Sequence, residues 1–280
     1  MKLGNVRGRL SLLTGVGAID VEKASGGRFA ADPQAVFAKW REFCAWAASA
    51  AKSDAKPYAE TDLQCPVPRP TQVFGIGLNY RAHAEEAGLP IPNGPPTFTK
   101  FPSCITGPFD DVTLPSGFVD WEVELVVVIG ERAFHVGESD GWKHVAALTV
   151  GQDISERVVQ WGNGGQFSLG KSFPGFGPLG PCLVTPDEIT NPDDLELGCR
   201  VSGEVMQTSR TSDMIFSVPR LIAELSAILP LLPGDIIFTG TPQGVGAVRK
   251  PPRFLQPGDA IESWIEGIGT IRNRMVAASA

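Results

Sequence analysis

Glu122 and Glu124 flank Val123 at the head of the run Trp121-Glu122-Val123-Glu124-Leu125-Val126-Val127-Val128-Ile129-Gly130. The β-branched residues and the closing glycine predict a strand. Side chains alternate across a strand, so the two glutamates share one face with Val126 and Val128, while Trp121, Val123 and Leu125 share the other. Apolar residues on both faces predict that both are buried, and two buried carboxylates that repel each other need a compensating cation. An isolated E-x-E pair is more often solvated. The third carboxylate, Asp153 in the short β-like run Val150-Gly151-Gln152-Asp153, shifts the balance. Three carboxylates suit a hard, oxygen-preferring ion such as Mg2+ or Mn2+. Removing Glu122 or Asp153 is then expected to cost metal but spare the fold, because it relieves repulsion.

His83 and Glu86 stand one helical turn apart, an arrangement in which a carboxylate orients an imidazole as a general base. On spacing alone an ordinary surface pair is the commoner outcome. The prolines and glycines between Gly88 and Pro96 give this segment the character of a mobile lid. Arg157 and Gln160 follow Asp153 on one helical face. In Gly240-Thr241-Pro242-Gln243-Gly244-Val245-Gly246, backbone amides and the Thr241 hydroxyl offer a nest for a carboxylate. Gly170-Lys171-Ser172 resembles a fragment of a phosphate loop only superficially.

The elements that must position these groups are readable in outline. Short strands joined by glycine turns fill residues 1–30. Asp32-Pro33 caps an amphipathic helix over roughly 33–51, with Val36, Phe37, Trp40, Phe43 and Cys44 on one face. Lys52 to Pro70 reads as a link, so residues 1–65 form a small N-terminal subdomain and 66–280 the main domain. Val73-Phe74-Gly75-Ile76 opens the latter as a strand, and Phe98 to Phe101 is another, carrying the single Lys100. Trp142 to Leu148 reads as a short helix. Leu114 to Gly117 is a turn. A hairpin spans Leu195–Val201 and Glu204–Thr208 around Ser202-Gly203. Ser217 caps a helix with Leu221, Ile222, Leu225 and Ile228 on its apolar face. Strands follow at Ile236–Thr239 and Ala260–Ile265.

Composition narrows the function classes. The chain has 280 residues, a net charge of −7, 42% hydrophobic and 20% charged residues. That balance gives no reason to expect nucleic acid or an anionic membrane as a partner. The 24 prolines and 32 glycines imply many turns and favour a β-rich fold. Five dispersed cysteines without a C-x-x-C fit a reducing compartment, not a disulfide framework. The N-terminal apolar patch is broken by Gly15 and Gly17, and no segment reaches transmembrane length, so a cytoplasmic protein is expected.

Taken together, Asn79-Tyr80-x-x-His83-Ala84 with Glu86, Trp121-Glu122-Val123-Glu124-Leu125, Asp153-Ile154-Ser155-x-Arg157, Gly170-Lys171-Ser172-Phe173, Gly180-Pro181, Gly234-Asp235 and Thr239-Gly240-Thr241-Pro242-x-Gly244-Val245-Gly246 resemble the fumarylacetoacetate hydrolase family over roughly residues 70–273. The resemblance implies a β-rich α+β fold, a mixed β-sandwich roll, and a homodimer. It implies Mg2+ or Mn2+ on Glu122, Glu124 and Asp153, with Lys171 stabilising enolate charge. Gln160, Arg157, Thr241 and Tyr80 would contact the oxo-acid substrate, and His83 with Glu86 would form the lid dyad that activates water. The first expectation is hydrolysis of a C–C bond in an acylpyruvate-type 1,3-dioxo acid, in the catabolism of aromatic or related compounds. Isomerisation of a 2-hydroxyhepta-2,4-diene-1,7-dioate or decarboxylation of oxaloacetate are the alternatives, and an inactive metal-binding scaffold the non-enzymatic one. Gln152, Val158 and Pro174 depart from the family pattern, where asparagine, an acidic residue and aspartate are common.

Overall fold

The strand Val123–Ile129 is buried at every position, as a central strand covered on both faces must be. It pairs antiparallel with Val145–Gln152 on one side and with Ile236–Phe238 on the other. The computed structural model describes residues 1–50, 54–115, 117–162 and 164–278. The start of the expected link at Lys52, the end of the expected 33–51 helix, Ser116 of the expected turn and Asn163 lie outside the described residues. The long sheet runs in the order Gly17–Asp20, Arg9–Thr14, Lys2–Val6, Gly177–Val184, Val145–Gln152, Val123–Ile129, Ile236–Phe238, Val73–Ile76, Thr97–Thr99. The last two junctions differ in sense: Ile236–Phe238 and Val73–Ile76 are parallel, Val73–Ile76 and Thr97–Thr99 antiparallel.

Alternation along the central strand divides the interior as expected. Trp121, Val123, Leu125, Val127 and Ile129 enter one apolar cluster, shared with Leu197, Val201, Ile261, Ile271 and Met275. Those partners belong to a second sheet, ordered Glu204–Arg210, Glu196–Val201, Ala260–Ile265, Gly269–Ala277, Val112–Leu114. Val126 and Val128 enter the other cluster with Phe238 and with Leu3, Phe37, Trp40 and Phe43 from the N-terminal segment. The result is a β-rich α+β sandwich roll of mixed sheets. Lys2–Val6 bonds to Gly177–Val184, so the N-terminal strands extend the main sheet.

Local signals hold where turn and cap chemistry is strong. Ser202 (φ 49°) and Gly203 (φ 88°) are both left-handed, which matches the twist of the Glu196–Val201 and Glu204–Arg210 hairpin. The Asp32 side chain caps Pro33–Lys39 by accepting from Gln34 N–H. That segment is a tight 3-10 turn, and the α-helix proper is Trp40–Ser49. Two expectations fail. Trp142–Leu148 is not a helix: a 3-10 segment ends at His144 and the strand Val145–Gln152 begins. Its run Val145-Ala146-Ala147-Leu148 is buried on both sides, so it shows no period of two to read. Ile228 is exposed, because the helix Val218–Ser226 ends before it.

Candidate metal centre and its supporting shell

Glu122 and Glu124 project from the entrance of the central strand, and Asp153 follows the end of its neighbour. The two ends are tied by Asp153 N–H donating to Glu122 O at 2.9 Å. Two buried glutamines hold the strand entrance where the ladder would leave donors unmet. Gln152 Oε1 accepts from Glu122 N–H at 2.9 Å, and Gln207 Oε1 accepts from Val123 N–H at 3.0 Å. One carboxylate oxygen each from Glu122, Glu124 and Asp153 lies within 4.8 Å of the others, and all three residues are buried. The expected triad is therefore brought together.

The structure surrounds these carboxylates with three cations, the expected Lys171 and Arg157 and, in addition, Lys100. Lys171 Nζ donates to Glu122 Oε2 at 2.7 Å and to Asp153 Oδ2 at 2.6 Å. Lys100 Nζ, wholly buried, donates to Asp153 Oδ1 at 2.6 Å, to Phe176 O at 3.1 Å and to Lys171 O. Arg157 is shared: it meets Glu122 Oε1 at 2.7 Å, Gln160 Oε1 at 2.9 Å and Asp120 Oδ2 at 2.6 Å. Burial works against the charge on Glu122, but Lys171 and Arg157 outweigh it and bring its carboxyl down to about 2. Glu124 behaves oppositely. Burial, then Asp153 and Glu122, push its carboxyl well above the usual range. Among the described residues no lysine or arginine forms an ion pair with it, and it accepts Gly240 N–H at 2.7 Å. Burial lowers the Lys171 pKa, yet Asp153 and Glu122 overcome this and raise it, so the ammonium stays charged. This donor set fits a divalent cation: three converging carboxylates, one of them without a protein counter-charge.

The helix Arg81–Ala87, in the segment expected to act as a lid, carries both His83 and Glu86. His83 Nδ1 is 3.3 Å from Glu86 Oε2, and both Glu86 oxygens accept Gly244 N–H at 3.1 and 3.0 Å. His83 is close enough to Glu122 to favour its ionised form. The i,i+3 spacing of His83 and Glu86 thus brings the two side chains within reach of each other. Lys100 and Asp120 were missed. A lone lysine in the apolar run Phe98 to Phe101 was the available signal for the first; the second has no local signature.

Two substrate-contact expectations change in detail. The Thr241 hydroxyl donates to Val123 O at 2.9 Å and accepts from Gln207 at 2.9 Å. Its only proton is already used in holding the strand entrance, so it is not left to donate to a substrate carboxylate. Tyr80 is fully buried, and its hydroxyl has no partner among the described residues. Burial first, then Glu124, raise its pKa. Gln160 is buried against Arg157 at the start of the helix Arg157–Gly162.

Comparisons with known proteins agree with this geometry. Residues 72–276 match the fumarylacetoacetate (FAA) hydrolase C-terminal family. The mitochondrial oxaloacetate tautomerase FAHD2A of Bos taurus is 49% identical over 223 residues, 79% of this chain and 71% of its own length. A crystal structure of a Mycobacterium smegmatis protein, assigned provisionally as HpcE, superposes with a TM-score of 0.96 at 51% identity, covering 100% of both chains. Maleylpyruvate hydrolase from Sphingobium sp. SYK-6, crystallised with manganese(II) and pyruvate, gives 0.81 at 28% identity, again covering 100% of both chains. No helix among the described residues is long and apolar enough to cross a membrane. With the matched residues running through both sheets and every carboxylate of the centre, the chain belongs to the fumarylacetoacetate hydrolase family.

Proposed function

We propose that the protein catalyses keto–enol proton transfer on a small 2-oxo acid, with oxaloacetate tautomerisation as the leading reaction. The observation that carries this reading is the convergence of Lys171, Glu122 and Asp153 beneath a histidine base that Glu86 orients. The relatedness to oxaloacetate tautomerases supports it and moves it ahead of acylpyruvate hydrolysis. Glu122, Glu124 and Asp153 would hold Mg2+ or Mn2+, which when bound supplies a Lewis acid for a 2-oxo carboxylate.

The remaining work falls to this chain's own groups. Glu86 accepts at His83 Nδ1, which sets the tautomer with the proton on Nδ1 and leaves Nε2 as the base. Nε2 removes a proton from C3 of the keto acid, and the electron pair moves to the 2-oxygen. The Lys171 ammonium, buried and held charged by its two carboxylates, faces the charge that develops there. The His83 imidazolium then gives that proton to the oxygen, which forms the enol and restores the neutral base; in the reverse sequence His83 takes the O–H proton and returns it to C3. Docking of the lid keeps bulk water from the exchanging proton.

Hydrolysis is the second reading, favoured by the same dyad and by the maleylpyruvate hydrolase fold match. There His83 would deprotonate water, which attacks the distal carbonyl of an acylpyruvate. The test is enol absorbance of oxaloacetate with Mn2+-loaded protein, beside assays of pyruvate release from oxaloacetate and from acetylpyruvate. Fast enol–keto equilibration with slow pyruvate release, abolished by chelator, is expected. Pyruvate release from acetylpyruvate outpacing equilibration would replace the tautomerase reading with the hydrolase one.

A further inference from the structure

We propose that Asp120 is a positioning residue that couples docking of the lid helix to the orientation of Arg157 beside Glu122. The coupling rests on the reading of His83 and Glu86 as the working dyad. Asp120 itself lies outside the three-carboxylate group.

Five N–H donors converge on the two oxygens of Asp120, which is fully buried. Oδ1 accepts from Gly246 N–H at 2.7 Å and Trp121 N–H at 2.8 Å. Oδ2 accepts from Ala247 N–H at 2.9 Å and from Arg157 Nε and Nη2 at 2.9 and 2.6 Å. A carboxylate accepts only, so it can serve all five; an asparagine would turn one end into a donor facing donors.

The same short peptide run reaches the lid. Gly244, two residues before Gly246, donates its N–H to Glu86, and its carbonyl accepts from Trp121 Nε1 at 3.1 Å. Gly244 has φ +98° and no room for a side chain, since a Cβ would stand 2.1 Å from Met206 O. At Gly246 a Cβ would stand 1.9 Å from Arg253 O. Residues 244–247 therefore form a tight bridge held by Glu86 at one end and Asp120 at the other. Beyond Asp120, the same guanidinium meets Glu122 and Gln160. Glu122 and Asp120 thus share one cation. When Glu86 leaves Gly244, the bridge loosens, two of the five donors on Asp120 slacken, and the division of Arg157 between Asp120 and Glu122 shifts. Linkage makes the effect reciprocal: anything that fixes Arg157 on Asp120 favours the docked lid.

Hydrogen exchange on the full-length protein reads this from both ends. In Asp120→Asn, exchange across residues 81–88 is expected to rise on the order of tenfold, with the hairpin 196–210 unchanged. Glu86→Gln alters a partly exposed residue and keeps the buried carboxylate. It should raise exchange in 246–247 and in the helix 157–162, which Glu86 does not touch. Turnover losses in the double variant should fall short of the product of the single losses. If Glu86→Gln leaves 157–162 unchanged, or the losses multiply, the coupling is overturned, whether or not Asp120→Asn folds. The exchange readout needs no substrate, so failure of the tautomerase assay would leave it standing as a separate result.

Discussion

Single residues in the centre have opposite electrostatic roles, and this separates their mutants. Glu122 carries the countercharge for Lys171 and Arg157. Glu122→Gln takes one of two carboxylate partners from each cation in a dry site, so the metal-free protein should lose stability, by less than the about 3–5 kcal/mol of a buried pair broken outright. That reverses the expectation from sequence, in which removing a ligand relieved repulsion: the pairing of Glu122 with Lys171 and Arg157 joins residues far apart in the chain and has no local signature. Glu124 is the member whose ionised form burial and its acidic neighbours disfavour. Glu124→Gln removes the charge that burial and those neighbours disfavour, so thermal stability of the metal-free protein should hold or rise while Mn2+ affinity, read by calorimetry, drops more than tenfold. Equal destabilisation by both variants would contradict this division. Lys171→Met should behave differently again. It removes the cation between Glu122 and Asp153, so the variant is weakened without metal. Mn2+ should then raise its melting temperature by more than it raises the parent's, because binding offsets a larger repulsion.

Elements rather than residues decide whether these groups meet, and the loop 240–247 is the one with least tolerance. Gly244→Ala places a side chain where φ is +98° and a carbonyl is in the way. It should cost about 1–3 kcal/mol of strain and release Glu86, so the melting temperature falls and His83-dependent turnover falls with it. Full turnover in a stable Gly244→Ala protein would mean that the docked lid is not the working state. The loop also shows what was legible in the sequence. Its glycines marked a tight turn, and the alternation of Glu122 and Glu124 with Val126 and Val128 marked a buried acidic face. What the sequence hid was non-local. The register between the strands at 123–129 and 145–152 sets Asp153 beside Glu122, and nothing in Val145-Ala146-Ala147-Leu148 distinguishes a central strand from a buried helix. Gln152 and Gln207, which close the strand entrance, look like ordinary polar residues until the second sheet is in place. The Asp120 carboxylate gathers donors from Trp121, Arg157, Gly246 and Ala247, a constellation with no spacing to read.

At the scale of the whole molecule, the N-terminal segment and the main sheet share one apolar cluster, so they should unfold in a single calorimetric transition. That cluster and its neighbour also enclose thiols, and these give the protein a defined alkaline limit. All five cysteines are free. Burial pushes Cys44 and Cys182 up to about 11 and Cys65 up to about 12, and it raises Cys104 and Cys199 as well. The unfolded chain ionises its thiols near the ordinary value of 9.0. Between that value and the raised ones, the unfolded state therefore holds fewer protons than the folded state, and stability falls as pH rises. The thiol contribution is complete below about pH 9 and is lost progressively toward pH 12. In reducing buffer the melting temperature should be nearly level from pH 7 to pH 8.5 and decline steeply above pH 9. Cys65→Ala removes one large contributor to that slope, so the variant should lose less stability between pH 8 and pH 10 than the parent loses, even if it is weaker at pH 8 for want of packing. Equal slopes in the two proteins would show that the buried Cys65 thiol does not set the alkaline limit.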